Sequence, residues 1–293
     1  MSSPDRILVT GGGGRLAKAL ARCGALAPSR TELDIVAPHS VSAALDADEP
    51  VAVINAAAYT NVEQAETDRD IAFAVNGSGA GIVAATCAAR NIPLVHISTD
   101  YVFGDADRSA PVDETMMTDP LSVYGESKLA GESAVAEAGC VSVIARVSWL
   151  FDDGANTFID KMLKIASSRD RMMIVDDAWG RPTSVSDLAP LLIKLAMRLA
   201  DDETLPPILH MGPPEPASRY DWASEIFATS RDSGGPCPAI ERCTSDDMPT
   251  KVRHPRNLVL DTSEAYKLLG PVPNWREATR RAVKQRLKET GGG

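Results

Sequence analysis

Four short runs of this chain are apolar almost from end to end, and three of them are followed by a stretch with helical spacing. Arg6 to Val9 precedes a helix over Leu16 to Cys23, and Val51 to Asn55 precedes one over Ile71 to Arg90. Leu94 to Ser98 precedes a helix continuing over Lys128 to Ala138, and Val141 to Val147 closes the series. A strand with one wet face alternates apolar and polar residues. A strand without that alternation has both faces covered, as in a parallel sheet flanked by its own crossover helices. The strand–helix order then implies right-handed crossovers. The predicted fold is α/β, a Rossmann-like doubly wound parallel sheet with a smaller α/β domain.

The texture changes after about Trp149. Prolines cluster at Pro206-Pro207, at Pro213-Pro214-Glu215-Pro216 and between Pro236 and Pro273, while helical pieces remain at Phe158 to Ala166, Val185 to Ala200 and Tyr220 to Phe227. The expected division is a nucleotide-binding Rossmann domain over 1–148, also receiving part of 184–210, and a mainly substrate-binding domain over 149–293. Gly291-Gly292-Gly293 reads as a frayed tail. No internal repeat is visible.

A net charge of −10 argues against a nucleic-acid partner, which requires an excess of Lys and Arg. The five cysteines, Cys23, Cys87, Cys140, Cys237 and Cys243, are odd in number and lack CxxC spacing, so they read as reduced thiols in a cytoplasmic protein with no metal site. No charged leader precedes a long apolar stretch, and no run is expected to cross a bilayer, so no membrane partner is implied.

The first strand runs into Thr10-Gly11-Gly12-Gly13-Gly14-Arg15-Leu16-Ala17. Glycines let backbone turn sharply and approach a pyrophosphate, and the helix that follows offers free N–H groups and a partial positive charge. Ala17 takes the place of a third spaced glycine, where helix–strand packing needs a small residue. An acid after the second strand would favour NAD, and Glu32 and Asp34 lie slightly beyond that point. Arg30 and Arg15 can meet a 2′-phosphate, so NADPH is the expected cofactor, with NADH possible. Asn55-Ala56-Ala57-Ala58-Tyr59-Thr60 ends the next strand, where open α/β sheets place their ligands.

Tyr124 and Lys128 stand four apart, which on a helix puts both on one face. A nearby ammonium favours the phenolate and is expected to bring Tyr124 closer to working pH. In a carbonyl reduction Tyr124 would protonate the oxygen as hydride reaches the carbon. Thr99, at the end of the Leu94 strand, can hydrogen-bond the same oxygen.

These elements resemble the extended short-chain dehydrogenase/reductase superfamily. The resemblance sharpens to the dTDP-4-dehydrorhamnose reductase family on several stretches. These are Ser98-Thr99-Asp100-Tyr101-Val102-Phe103, Val123-Tyr124-Gly125 with Lys128-Leu129-Ala130-Gly131-Glu132, and Arg146-Val147-Ser148-Trp149. Val175-Asp176-Asp177, Gly180-Arg181-Pro182-Thr183, Met248-Pro249-Thr250, Leu260-Asp261-Thr262 and Asn274-Trp275-Arg276-Glu277-Ala278 extend it from about residue 6 to 285. The resemblance implies catalytic roles for Thr99, Tyr124 and Lys128. It implies cofactor contacts at Gly11, Gly13, Gly14, Arg15, Leu16, Arg30, Asp34, Ile35, Ala58, Tyr59, Thr60, Ile97, Tyr124 and Lys128. Thr99, Asp100, Tyr101, Trp149 and Arg253 would face a dTDP-linked sugar, whose C4 ketone the family reduces. A monomer or homodimer is expected.

Related sugar-nucleotide dehydratases resemble Thr-Asp-Glu at this strand end, where the acid pair eliminates water. Here the run is Thr99-Asp100-Tyr101, which argues for reduction instead. The chain departs from the family at Arg15, where Gln is usual, at Ala178 in place of Gln, at His254 in place of Arg and at Leu258 in place of Ser. Arg253 or Arg256 is a candidate replacement for the lost Arg. The last three departures keep open a reductase of another nucleotide-linked 4-keto deoxysugar. A non-catalytic NADP-binding regulatory subunit, as in the methionine adenosyltransferase β subunit that resembles this family, is a further alternative. Trp149 reads as core or sugar ligand, Asp176-Asp177 as a possible solvated turn, and Trp222 and Trp275 as helix-packing residues.

Overall fold

The structure is a computed structural model that describes residues 3–105, 110–154, 156–248 and 250–291. Pro249 of the Met-Pro-Thr stretch and Gly292-Gly293 of the expected frayed tail lie outside the described residues.

The strands in chain order are β1 (Ile7–Thr10), β2 (Ala52–Asn55), β3 (Leu94–Thr99), β4 (Ser142–Val147), β5 (Leu150–Phe151), β6 (Arg171–Val175), β7 (Trp179–Gly180), β8 (Thr183–Ser184), β9 (Ile208–Met211), β10 (Ala217–Ser218) and β11 (Ala239–Cys243). The α-helices are α1 (Arg15–Arg22), α2 (Pro38–Asp48), α3 (Val62–Ala65), α4 (Arg69–Phe73), α5 (Ala80–Ala88), α6 (Val123–Glu137), α7 (Phe158–Ala166), α8 (Val185–Ala200), α9 (Arg219–Asp232), α10 (Ser263–Leu269) and α11 (Trp275–Gly291).

The central sheet has the order β1-β2-β3-β4-β9, and every neighbouring pair is parallel. Every residue of β1, β2 and β3 is buried, as expected of strands covered on both faces, the polar Thr10, Asn55, His96, Ser98 and Thr99 included. Successive residues serve opposite faces. Ile7, Val9, Ile54, Val95 and Val143 pack with α1 and α8, while Leu8, Val53, Leu94 and Ile144 pack with α2 and α5. Helices therefore cover both faces, and the sheet is doubly wound. Between α1 and α2 the chain adds one parallel bridge, Leu26 beside Leu8.

The single helix expected over Ile71 to Arg90 is α4 and α5 joined by a π-helical segment, Ala74–Gly79. Asn76 in that segment is buried, and its side chain bonds both the Tyr59 backbone and Ser127. The widened turn aims this polar group out of the helix, a use for which π-bulges recur at functional sites. The run Arg69–Ala88 spans 20 residues and holds an 18-residue window with a mean hydropathy of 1.5, so by length and composition alone it is long and apolar enough to cross a membrane, contrary to expectation. In the fold it is a core helix, with Ala80, Val83, Ala84 and Cys87 packed under the sheet.

A second core gathers Phe151, Ile159 and Leu163 with Trp222, Ile226, Phe227, Trp275 and Val283. Trp222 and Trp275 are fully buried here, as expected of packing residues, and the Trp222 indole N–H donates to Thr279 at 3.0 Å. β6 and β11 form a parallel pair over this core. After β8 the chain returns along α8 into β9, so residues from the second half complete the first sheet.

Candidate active site

The C-terminal edge of the central sheet carries the site. Gly11 has φ +76, and a Cβ there would stand 2.7 Å from Ala57 Cα. At Gly12 a Cβ would fall 2.3 Å from the Ala27 carbonyl oxygen, so these two positions shape the turn. Gly13 faces open space with nothing within 4 Å of an added Cβ, and Gly14 caps α1. The turn therefore presents bare backbone and a helix N-terminus outward, which suits a pyrophosphate. Ala17 is buried in the core, consistent with its packing assignment.

Other expected cofactor residues divide. Leu16 and Ile35 have their side chains in the apolar core, leaving only their backbone for a ligand. Arg15 reaches across to Asp152 at 3.5 Å and to the Asn156 carbonyl at 3.2 Å. Arg30 is exposed and lies 3.8 Å from Asp34. The Ala58-Tyr59-Thr60 corner is fixed by Asn76, which accepts from the Tyr59 N–H at 2.8 Å and donates to its carbonyl at 3.0 Å. Asn76 also donates to Ser127 on α6 at 2.9 Å, tying this corner to the helix of Tyr124 and Lys128.

Ser122 caps α6, its hydroxyl accepting from the Gly125 N–H at 3.2 Å, so the helix starts with Tyr124 in its first turn. Lys128, one turn on, is buried, and its ammonium donates to the Ile97 carbonyl at 2.7 Å. Burial pulls Lys128 down to about 8, with Glu132 opposing. Tyr124 moves up rather than down. Burial raises it, a hydrogen bond with Thr99 lowers it, and Asp100 and Tyr101 raise it further. The expected lowering by Lys128 is not what the structure shows, because desolvation dominates and the ammonium is committed to Ile97.

Glu132 sits below Lys128 and accepts two bonds from Arg146, at 2.9 and 2.6 Å, and another from Ser98. Both members of this ion pair are almost fully buried. His210 neighbours Arg146, and burial carries its imidazole down to about 4.

Thr99 ends β3 with its hydroxyl bonded to Asp100 Oδ1 at 3.0 Å, and Ser148, just after β4, donates to Asp100 Oδ2 at 2.8 Å. Burial lifts the Asp100 carboxyl to about 6 against both hydroxyls and the Arg219 charge. Tyr101 packs edge-on to Tyr124 with ring centres 5.5 Å apart, and its hydroxyl shares a 2.9 Å hydrogen bond with His254 Nδ1. Burial raises Tyr101 to about 12.

A cavity of about 940 Å³ opens from Tyr101, bounded by Trp149 and Arg219 on one side and by the run from Thr250 to Leu258 on the other. Trp149 adopts φ +45, and its ring lies against Gly180, where a Cβ would approach Cε2 to 2.5 Å. Arg219 starts α9, with its guanidinium 3.5 Å above the Trp149 ring. Arg219 also lines the cavity, and a guanidinium stacked by its face keeps its edge donors clear of the ring.

Sequence reasoning assigned no role to Arg219, Ser148, Asn76 or Glu132. Ser148 and Glu132 lie inside the family-like stretches, so a signal existed for those two. Arg253 is at the rim, exposed and 3.6 Å from Asp105. Arg256 is bound by Asp246 and Asp177. Leu258 is buried with Val102, Phe103, Val112 and Leu260, which explains an apolar residue there. Ala178 lines the cavity and accepts the Arg219 backbone N–H. Asp176 and Asp177 are turn anchors rather than solvated acids, bonding Ser218 and Ser245 respectively. Among the described residues no group of three or more His, Cys, Asp or Glu is placed to hold a metal.

The family model described as RmlD substrate binding domain matches residues 5–288. A dTDP-4-dehydrorhamnose reductase of Aggregatibacter actinomycetemcomitans is 36% identical over 284 residues, covering 93% of this chain and 96% of its own. A dTDP-4-keto-6-deoxy-D-glucose reductase of Streptomyces niveus is 34% identical over 287 residues, covering 95% and 96%. Among solved structures, a dTDP-4-dehydrorhamnose reductase of Bacillus anthracis in complex with NADP aligns with a TM-score of 0.84 at 29% identity, over 94% of this chain and 97% of that one.

Proposed function

Since this chain belongs to the dTDP-4-dehydrorhamnose reductase family, we propose that it reduces the C4 ketone of dTDP-4-dehydro-L-rhamnose to dTDP-L-rhamnose. NADPH, which the open glycine turn and bare α1 terminus fit, supplies the hydride. The single observation that supports the reading is the gathering of Thr99, Tyr124 and Lys128 around the end of β3, with Tyr124 packed edge-on to the cavity-lining Tyr101.

The geometry supports the following roles. Burial keeps Tyr124 protonated at neutral pH, the state a general acid needs in the direction of reduction. Lys128 spends one of its three donors on Ile97 and offers the others to the nicotinamide ribose. Gly13, Gly14 and the Ala58-Tyr59-Thr60 corner line the cofactor, and Arg30 turns from Asp34 to a 2′-phosphate; with NADH, Asp34 meets the ribose instead. Arg219, stacked on Trp149, takes the diphosphate of the sugar nucleotide, and Asp100, Tyr101, Trp149 and the rim residue Arg253 bound the sugar. Residues 1–148 with part of 184–210 form the cofactor domain, and the remainder of 149–293 the substrate domain. The enzyme acts in the cytoplasm in nucleotide-sugar biosynthesis, as a monomer or homodimer.

His254 on Tyr101, together with the Streptomyces niveus relative, favours one second reading, a reductase of another dTDP-linked 4-keto-6-deoxysugar. Loss of reduced-nicotinamide absorbance across a panel of nucleotide 4-keto sugars, with NADPH and NADH, separates the two. Tyr124→Phe should abolish turnover and keep cofactor binding; full activity in that variant overturns the mechanism.

A further inference from the structure

We propose that Arg15 is a pyrophosphate-binding residue held in reserve by Asp152, and that binding of the nicotinamide cofactor exchanges one anion for the other. The proposal rests on the reductase reading and concerns how the cofactor is taken up.

Arg15 is the first residue of α1, directly after Gly14, which caps the helix. Gly13 and Gly14 present the backbone that suits a pyrophosphate, so the Arg15 side chain starts next to the place where that anion would settle. In the structure it turns the other way. It crosses to the loop between β5 and α7, where Nε stands 3.5 Å from Asp152 Oδ1 and Nη2 donates to the Asn156 carbonyl at 3.2 Å.

The two sides of this contact are unequally held. The loop has anchors other than Arg15. Asp152 Oδ1 accepts the Gly154 N–H at 3.1 Å, and the Asn156 N–H donates to Asp160 at 2.8 Å. Asp160 is itself buried in the first turn of α7 and paired with Lys164 at 2.9 Å and Arg286 at 2.6 Å. Arg15 is the looser side. Its side chain is 46% exposed against 16% for Asp152, and the 3.5 Å between them exceeds the usual N–H···O range. A pair of that length and exposure is weak. A guanidinium on phosphate oxygens makes charge-assisted hydrogen bonds in a matching fork, and the pyrophosphate is the more highly charged anion. The exchange therefore runs toward the cofactor, and the Arg15 side chain is the part that swings.

Arg30, assigned above to a 2′-phosphate, pairs separately with Asp34. The two arginines thus serve different phosphates, and the exchange at Arg15 is common to NADPH and NADH. It also unties α1 from the loop before α7, so a contact between the first sheet and the second half of the chain is traded for the cofactor.

The test is a nucleotide titration of the full chain with NADPH and with NADH, read by the fluorescence of the bound reduced nicotinamide and not by turnover. Arg15→Gln should raise Kd for both by about tenfold or more. Asp152→Asn keeps an oxygen for the Gly154 N–H and should lower Kd for both by about two- to fivefold. In the double variant that gain should vanish, with Kd equal to that of Arg15→Gln alone. A Kd that Asp152→Asn raises or leaves unchanged overturns the exchange. A gain that persists in the double variant does so too, since it marks general repulsion between Asp152 and the cofactor, and a gain confined to NADPH overturns the pyrophosphate assignment. Binding of neither nucleotide to the wild type overturns the cofactor reading instead.

Discussion

The Lys128 ammonium is bound to the carbonyl of Ile97 at 2.7 Å, so the residue that sits one helical turn from Tyr124 is anchored to the strand that ends in Thr99. Lys128→Met keeps the length of the side chain and removes both charge and donors. It is expected to lower kcat/KM by about 10²–10⁴. The carbonyl left unpaired costs about 1–3 kcal/mol, partly offset by no longer burying an ammonium. Steady-state kinetics and urea unfolding on one preparation separate the two effects.

Arg219 is expected to act on binding rather than chemistry. Arg219→Ala loses the stack on Trp149 and the charged donors, and should raise KM for the sugar nucleotide roughly 10–100-fold with a smaller change in kcat. Arg219→Lys should fall between, since an ammonium keeps charge without the planar fork. Equal loss in kcat with unchanged KM would count against the assignment.

Two neighbouring glycines should respond in opposite ways. Gly12→Ala drives a methyl against the Ala27 and Pro28 carbonyl oxygens, at 2.3 and 2.4 Å, and should cost about 1–3 kcal/mol of stability. Gly13→Ala meets nothing within 4 Å, so the melting temperature should hold while NADPH binding weakens. Thermal denaturation and cofactor titration of both variants check the contrast.

The Glu132–Arg146 pair is buried on both sides. Arg146→Met should destabilise by about 3–5 kcal/mol by leaving a buried carboxylate alone. Adding Glu132→Gln should recover much of that loss. Without the Glu132 charge, Lys128 loses the electrostatic support that opposes its burial, so its ionisation should move lower still and be visible in the pH profile of the double variant.

Stability should also report on Asp100. Its carboxyl is ordinarily near 3.8 and is raised to about 6 in the fold, so its contribution is full below 3.8 and is lost as pH rises through 6. That loss is about 3 kcal/mol by linkage. His210, lowered from 6.5 to about 4, acts in the opposite sense, its contribution being full above 6.5 and lost as pH falls through 4. The two oppose each other over much of one window. Asp100→Asn should therefore unfold more easily on acidification from neutrality to pH about 4 than the wild type does, relative to its own stability at pH 7. Urea midpoints across that range measure it.

The sheet was readable because short, largely apolar runs recur before stretches of helical spacing, and Tyr124 with Lys128 because helical spacing is local. Asn76 was not readable. Its polarity inside an apolar helix acquires a reason only once the Tyr59 corner folds against it. Arg219 looks like an ordinary first residue of a helix behind the Ser218–Asp221 capping box, and nothing in its neighbours signals the Trp149 ring beneath it. His254 was visible as a departure, but its partner Tyr101 lies far away in sequence. The upward shift of Tyr124 was misjudged because spacing reveals neither the burial that raises it nor that the Lys128 ammonium is bound to Ile97.

The run from Thr250 to Leu258 is held by the Arg256 N–H on Asp105, the Trp179 backbone on Arg256 and Leu258, His254 on Tyr101, the ion pairs of Arg253 and Arg256, and the buried Leu258 side chain. It walls one side of the cavity, while Thr99, Tyr124 and Lys128 belong to β3 and α6. On the proposed reading, one wall facing the sugar is thus encoded apart from the three residues assigned to the reaction. A lineage can drift toward a new sugar by editing one short segment, with the reaction itself left under unchanged selection.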